Sequence, residues 1–93
     1  ALAAGLSDEN VVSLYKIVGG RVEVLEFVAP EEGAFLNTPL KDLRLKKNIL
    51  IACLVRGGKT IIPGGTEQIL SGDSVLVVTA DQQLRELKGI LEA

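Results

Sequence analysis

The middle of the chain carries its strongest structural signal, the stretch Ile49-Leu50-Ile51-Ala52-Cys53-Leu54-Val55-Arg56-Gly57-Gly58-Lys59-Thr60-Ile61-Ile62-Pro63. The continuous apolar run at 49–55 predicts a strand that is covered on both faces. The glycine pair after Arg56 predicts a turn, and residues 60–62 then predict a returning partner strand. Pro63 ends that strand because proline has no N–H to donate to a sheet.

The N-terminal third has two interpretations. Residues 11–18 and 21–28 are runs rich in β-branched side chains on either side of Gly19-Gly20, a pattern typical of a hairpin with a primed two-residue turn. The competing interpretation is a helix over 11–18, capped by Ser7 or Asp8, because its apolar positions also follow a helical spacing. The β-branched content favours the strand.

Two helices are predicted beside these strands. Residues 37–43 predict one or two turns, with Thr38 as the N-cap and Pro39 at the first helical position, where its missing N–H is not needed. A last helix is predicted after residue 79, with Thr79 or Asp81 as its cap. Its buried stripe would consist of Leu84, Leu87 and Leu91.

The remaining segments complete one domain. The turn Ser71-Gly72-Asp73 leads into an apolar strand at 74–79, and residues 66–70 predict a further short strand. The predicted order is β-β-α-β-β-(β)-β-α, an α+β fold in which helices pack on a small sheet. We expect residues 1–21 to be a linker or leading segment that contains the first strand of the hairpin interpretation, and residues 22–93 to be the domain.

The composition argues against catalysis and metal binding. The 93 residues contain no histidine and one cysteine, so the commonest general base and the commonest metal ligand are missing. Cys53 lies in the apolar run and is expected to be a small buried hydrophobe. Glu31-Glu32 is interpreted as a solvated turn, since two carboxylates supply too few oxygens for calcium. A carboxylate-only hydrolase is the competing hypothesis, but no pair of acids stands out.

Charge and hydropathy argue against two kinds of partner. The net charge is −2, and no basic stripe is long enough for nucleic acid. The apolar runs are far shorter than the ~20 residues that span a bilayer, so no direct membrane insertion is expected.

The basic cluster of Arg44, Lys46 and Lys47 is interpreted as a solvated loop, with an anion contact as the functional alternative. Arg56 is expected to be exposed or paired with Glu23 or Asp73. Because the chain starts without methionine, we expect an excised domain or residual tag residues.

Several phrases in this order resemble the C-terminal subdomain of the regulator of potassium conductance (RCK) proteins, of the TrkA-C type. They are Leu40-Lys41-Asp42-Leu43-Arg44-Leu45, the apolar strand that ends in Arg56-Gly57-Gly58, Ile62-Pro63, and Gly72-Asp73 before the strand 74–78. The match extends over about residues 22 to 91, and it implies a TrkA C-terminal domain-like fold.

The resemblance also implies a role. Such subdomains are cytoplasmic, non-enzymatic regulators that form homodimers, sense a ligand and act on a membrane potassium transporter subunit, at the inner face of the membrane. The alternative is an equivalent sensor lobe of another cation or anion transporter. A dimer interface would also complete a core this small.

A nucleotide such as NAD or ATP would bind the Rossmann lobe of such proteins. This chain has no Gly-x-Gly-x-x-Gly, so no such cofactor is assigned to it. Some relatives bind cyclic di-AMP in a cleft at the dimer axis, where Leu50 stands in place of a polar, Asn-like group. The residues of this chain that correspond to that cleft are Leu45, Lys46, Ile49, Leu50 and Pro63. Two further basic residues, Lys47 and Arg56, are added as ligand-binding candidates.

Overall fold

A computed structural model describes residues 11–80 and 83–92. Its centre is one antiparallel five-stranded sheet with the strand order β1-β2-β5-β3-β4. The last strand in sequence therefore lies in the middle of the sheet, between two strands that precede it. The bounds are β1 Val11–Ile17, β2 Val22–Val28, β3 Ile49–Arg56, β4 Lys59–Ile61 and β5 Ser74–Thr79.

The hairpin interpretation of residues 11–28 is confirmed, since β1 pairs with β2 in antiparallel register. The predicted two-residue turn is wrong, because the loop takes the four residues 18–21. The Gly20 N–H donates to the Ile17 carbonyl at 3.1 Å, and the Arg21 N–H donates to the Val18 carbonyl at 3.2 Å. Val18, Gly19 and Gly20 all have positive φ. Glycine adopts this conformation without a Cβ clash, whereas the β-branched Val18 is strained there.

One face of the sheet, the inner face, carries the core. Alternate residues of β2 and β5 point into it, and a bulge between Ile51 and Cys53 brings both Ile51 and Leu54 of β3 onto the same face. A covering layer of connecting segments packs against these side chains. The buried members of that layer are Phe35, Leu36, Ile69, Leu84, Leu87 and Ile90.

The covering layer contains two 3₁₀ turns, Leu40–Asp42 and Leu87–Ile90. The one- to two-turn helix predicted at 37–43 is therefore only a three-residue 3₁₀ turn. The helix predicted after residue 79 is also wrong over 83–92, where the structure has a 3₁₀ turn and no α-helix. Pro39 immediately precedes the first turn. The Thr38 hydroxyl donates to the Leu36 carbonyl at 3.1 Å and does not cap this turn. The proposed cap Asp81 lies outside the described residues, and Thr79 is part of β5.

Hydrogen bonds between segments explain why the helices do not form. The Leu40 and Lys41 N–H groups donate to the carbonyls of Glu67 and Gly65, both at 2.9 Å. At the C-terminal end, the Glu92 N–H donates to the Arg44 carbonyl at 2.7 Å. Backbone groups used in this way are not available for helical hydrogen bonds. Residues 66–70 likewise add no strand to the sheet, and they make only isolated bridges at Gln68 and Ile69.

The opposite face of the sheet, the outer face, has no covering layer among the described residues. The prediction that β3 is covered on both faces is thus wrong, since Leu50 is 61% exposed and Val55 is also exposed. Cys53 is half-buried on this face, which corrects the expectation of a buried thiol. The strand register assigns the following side chains to the outer face: Ser13, Tyr15, Ile17, Val22, Val24, Glu26, Val28, Leu50, Cys53, Val55, Thr60, Ser74, Leu76 and Val78.

Arg56 ties the end of β3 to the turn that precedes β5. Its Nε and Nη2 donate to the two Asp73 carboxylate oxygens at 2.9 and 2.7 Å, and Nη2 also donates to the Gln68 carbonyl at 2.8 Å. Glu67 accepts from Nη1 at 3.3 Å at the edge of this group. Of the two partners expected for Arg56, the structure selects Asp73.

Glu23, the other expected partner, pairs with Arg85 instead. Its side chain is buried, and Oε1 accepts from Arg85 Nη1 at 3.0 Å. Its second oxygen, Oε2, has no hydrogen-bond partner. This ion pair fastens the C-terminal segment to β2 across the inner face.

The pairing of Asp73 has a consequence for acid stability. Burial raises the pKa of Asp73, but the Arg56 hydrogen bond, the Leu70 N–H and the Arg56 charge together outweigh burial, so its pKa is lowered. A lowered folded-state pKa contributes stability that is complete above the unfolded-state value of about 3.9. That contribution is lost as the pH falls through the folded-state pKa.

We expect Asp73→Asn to lower the free energy of unfolding at pH 7 by about 2 kcal/mol, because the buried carboxylate loses its charge-assisted hydrogen bonds while the Arg56 guanidinium stays partly solvated. The difference from wild type should shrink as the pH falls below about 4. Urea unfolding followed by circular dichroism measures both effects. Glu67→Gln is the matched control and should cost less than about 1 kcal/mol, since Glu67 is partly exposed. Equal losses in the two variants would contradict the assignment.

Candidate functional site

A shallow pocket of about 240 Å³ lies where the segment before β3 meets the segment after β4. It brings together four of the residues proposed for ligand binding from the sequence: Leu45, Ile49, Leu50 and Pro63. They are separated by up to eighteen positions in the chain, so the pocket exists only in the folded domain. Its other lining residues are Leu40, Lys41, Ile51, Gly64 and Gly65.

Backbone contacts hold the two walls of this pocket together. The Lys41 N–H donates to the Gly65 carbonyl at 2.9 Å. A Cβ atom on Gly65 would lie 3.2 Å from the Lys41 Cβ, so glycine allows the two segments to approach this closely. Asn48, just before β3, has a φ of 66°, a conformation that Asn adopts more readily than most residues. The short loop can therefore turn directly into the strand.

The three basic residues proposed from the sequence do not line this pocket. Lys46 is half-buried and Lys47 is exposed on the loop beside it, and the Lys46 N–H donates to the Ile90 carbonyl at 2.8 Å. Arg56 is engaged by Asp73, Glu67 and Gln68.

Lys41 is the basic side chain that does line the pocket, and sequence reasoning missed it. Lys41 lies in the phrase Leu40-Lys41-Asp42-Leu43, whose helical interpretation gave no indication of this position. Only the contact with Gly65 brings Lys41 to the pocket.

The lining suits an uncharged, flat group next to an anionic one. Leu45, Ile49, Leu50 and Pro63 provide apolar walls, and Lys41 is the only charged lining residue. Pockets of this kind bind an apolar body and use a few polar groups to orient it.

A second hollow lies on the other side of Leu50. It has a volume of about 290 Å³ and is situated where the ends of β2, β5 and β3 meet. Leu50 belongs to both linings and, with most of its side chain exposed, forms a ridge between the two hollows. The residues around this hollow are Val22, Asn48, Ile49, Leu50, Val78, Thr79 and Ala80.

The metal-binding and membrane expectations can be compared with the part of the chain that the structure describes. It contains no group of three metal-ligating side chains. Glu31 and Glu32 are both exposed on the loop after β2. No helix within residues 11–80 and 83–92 is long and apolar enough to cross a membrane.

Comparison with known proteins agrees with this architecture. The family model of the TrkA-C domain matches residues 24–92. The chain is 32% identical over 79 residues to the Trk system potassium uptake protein TrkA homolog 1 of Methanosarcina mazei, covering 85% of this chain and 18% of that protein. It is 35% identical over 81 residues to the TrkA homolog of Archaeoglobus fulgidus, covering 87% of this chain and 19% of that protein.

A solved structure, described as "Structure of RCK domain with cda", is similar with a TM-score of 0.57 at 26% sequence identity. The similarity covers 74% of this chain and 97% of the other. The chain spans less than a fifth of the length of the two archaeal relatives. With most of its length matched by the family model, the chain belongs to the TrkA-C domain family and is an RCK-type regulatory domain homologous to the Trk potassium uptake regulators.

Proposed function

We propose that this chain is the cytoplasmic ligand-sensing and dimerisation lobe of a Trk-type potassium uptake system. In this role it is not an enzyme, and it reaches the inner face of the membrane through a transporter subunit. The observation that carries the proposal is the convergence of Leu45, Ile49, Leu50 and Pro63 in one pocket. These are the residues that the family resemblance implies for ligand binding, and relatives of the chain are Trk system proteins.

The proposed ligand is a nucleotide of the cyclic di-AMP type. A base has the flat, largely apolar shape that the aliphatic walls can contact, and its phosphate is the anionic group that Lys41 can attract. The loop with Lys46 and Lys47 adds positive charge beside the pocket. An RCK domain similar to this chain was solved with cda. NAD or ATP would bind a separate Rossmann lobe.

Ligand binding and pairing are connected through Leu50 in this proposal. Leu50 lines the pocket and also lies on the outer face of the sheet. A ligand that contacts Leu50 changes the surface presented to a second copy, and a second copy near Leu50 changes the affinity for the ligand by the same factor. This linkage is the physical means by which the lobe biases the transporter.

We expect cyclic di-AMP to raise the melting temperature of the domain, because a ligand that binds only the folded state stabilises it by mass action. Ligand at ten times its Kd adds about 1.4 kcal/mol, which corresponds to roughly 5–10 °C for a domain of this size. Differential scanning fluorimetry measures the shift, with ATP and NAD as comparison ligands. An unchanged melting temperature at millimolar cyclic di-AMP would remove this ligand from the proposal.

Leu50→Asn should strengthen cyclic di-AMP binding by about tenfold, because it adds a hydrogen-bonding group at the position where the binding relatives are polar. Isothermal titration calorimetry gives the Kd. Val55→Asn is the matched control, since Val55 is exposed on the same strand and face but does not line the pocket. Equal effects of the two substitutions would show that the pocket is not where the nucleotide binds.

Pairing is tested separately from ligand binding. We expect light scattering coupled to size exclusion to report a dimer at tens of micromolar chain. The physical reason is the uncovered apolar outer face, whose burial between two copies removes it from water. A mass that stays that of one chain at these concentrations would contradict the homodimer and its linkage to the ligand, whereas the thermal shift still tests ligand binding itself.

A further inference from the structure

Arg56 is a ligand-binding candidate from the sequence that does not line the pocket. It lies five residues along β3 from Ile51, the nearest lining residue of that strand, which corresponds to roughly 16 Å. Its guanidinium is also fully engaged by other groups. Any effect of Arg56 on a ligand therefore has to pass through other residues.

A tight turn at residues 64–67, the wall turn, lies between Arg56 and the pocket. The Glu67 N–H donates to the Gly64 carbonyl at 3.1 Å and closes the turn. Gly64 and Gly65 line the pocket, whereas Glu67 contacts Arg56. One end of the wall turn is thus part of the pocket, and the other end is held by the arginine.

Arg56 fixes the wall turn relative to β3. Its Nη1 donates to the Glu67 carboxylate at 3.3 Å, and its Nη2 donates to the Gln68 carbonyl at 2.8 Å. The guanidinium is planar, and Asp73 already holds its Nε and Nη2. Its remaining donors therefore point in a set direction, and the turn has to meet them there.

The wall turn in turn holds Lys41, the charged residue of the pocket lining. The Lys41 N–H donates to the Gly65 carbonyl and the Leu40 N–H to the Glu67 carbonyl, both at 2.9 Å. A Cβ atom on Gly65 would lie only 3.2 Å from the Lys41 Cβ. A displacement of the wall turn therefore moves the backbone from which the Lys41 side chain extends.

We infer that Arg56 is a positioning residue for the ligand pocket, which acts through the wall turn to hold Lys41 where the anionic part of the ligand binds. The inference rests on the proposed function and adds to it a residue that does not touch the ligand. The side chains of Arg56 and Glu67 are 32% and 31% exposed, so their ion pair contributes little to stability. Its geometry can therefore be altered while the domain stays folded.

The first test needs no ligand. Glu67→Ala should speed hydrogen exchange of the Leu40 and Lys41 amides roughly fivefold, because the wall turn that accepts their hydrogen bonds is released on one side. Exchange of the Val77 amide, in the central strand of the sheet, should stay unchanged. A general loss of stability would instead affect Val77 as well. Glu67→Gln retains an oxygen that accepts from Arg56 and should change exchange less than twofold.

The second test is calorimetric titration of the 93-residue chain with cyclic di-AMP. Glu67→Ala should raise the Kd roughly fivefold, although losing a negative charge would by itself favour an anionic ligand. Arg56→Lys should also raise it, since the charge remains but an ammonium lacks the planar fork that contacts Asp73 and Gln68 together. Glu31→Ala is the matched control, because it removes the same charge from an exposed loop outside the pocket and should leave the Kd unchanged.

Circular dichroism establishes that each variant is folded, and the Glu67 variants decide the question if Arg56→Lys is not. Unchanged exchange at Leu40 and Lys41 in Glu67→Ala would overturn the positioning role, whatever the nucleotide does. Faster exchange with an unchanged Kd would overturn the connection to the ligand, while the proposed function stands. A wild-type chain that binds no cyclic di-AMP would overturn the proposed ligand and this inference together.

Discussion

Arg56 and Asp73 join the end of β3 to the start of β5, and the arrangement of the sheet depends on this contact. Two hydrogen bonds from one guanidinium to a buried carboxylate fix both the distance and the orientation of the two segments. The same turn is held to the end of β2, since the Ala29 N–H donates to the Asp73 carbonyl at 2.8 Å and the Gly72 N–H donates to the Ala29 carbonyl at 2.9 Å. These contacts therefore fix the start of β5 between the ends of its neighbours β2 and β3.

Within residues 11–80 and 83–92, only one face of the sheet is covered. The core is a single cluster, and the connecting segments that the structure describes pack against the inner face. The outer face then keeps its aliphatic side chains exposed. The proposed ligand pocket and the proposed pairing surface both result from this imbalance, and they share Leu50.

Much of the sheet could be predicted because strand signals are local. The β-branched run at 21–28 and the apolar runs at 49–55 and 74–79 each indicate a strand from their own residues. The helices could not be predicted in the same way, because the N–H groups of Leu40 and Lys41 bond to a segment 24 to 27 residues away in the chain. These hydrogen bonds join segments that are far apart in the sequence, so the helical spacing of residues 37–43 does not reveal them. Four members of the candidate pocket came from the family resemblance, whereas Lys41 was recognised only from its contact with Gly65.

The sequence by itself determined the absence of histidine chemistry, most of the strands and the family. These properties depend on residue types and on patterns within short windows. Only the tertiary structure decided that β3 is covered on one face, that Cys53 is half-buried, and that Arg56 pairs with Asp73 while Glu23 pairs with Arg85. The reason is that an apolar strand has the same sequence pattern whether one or both of its faces are covered. The outcome depends on which side the distant connecting segments occupy.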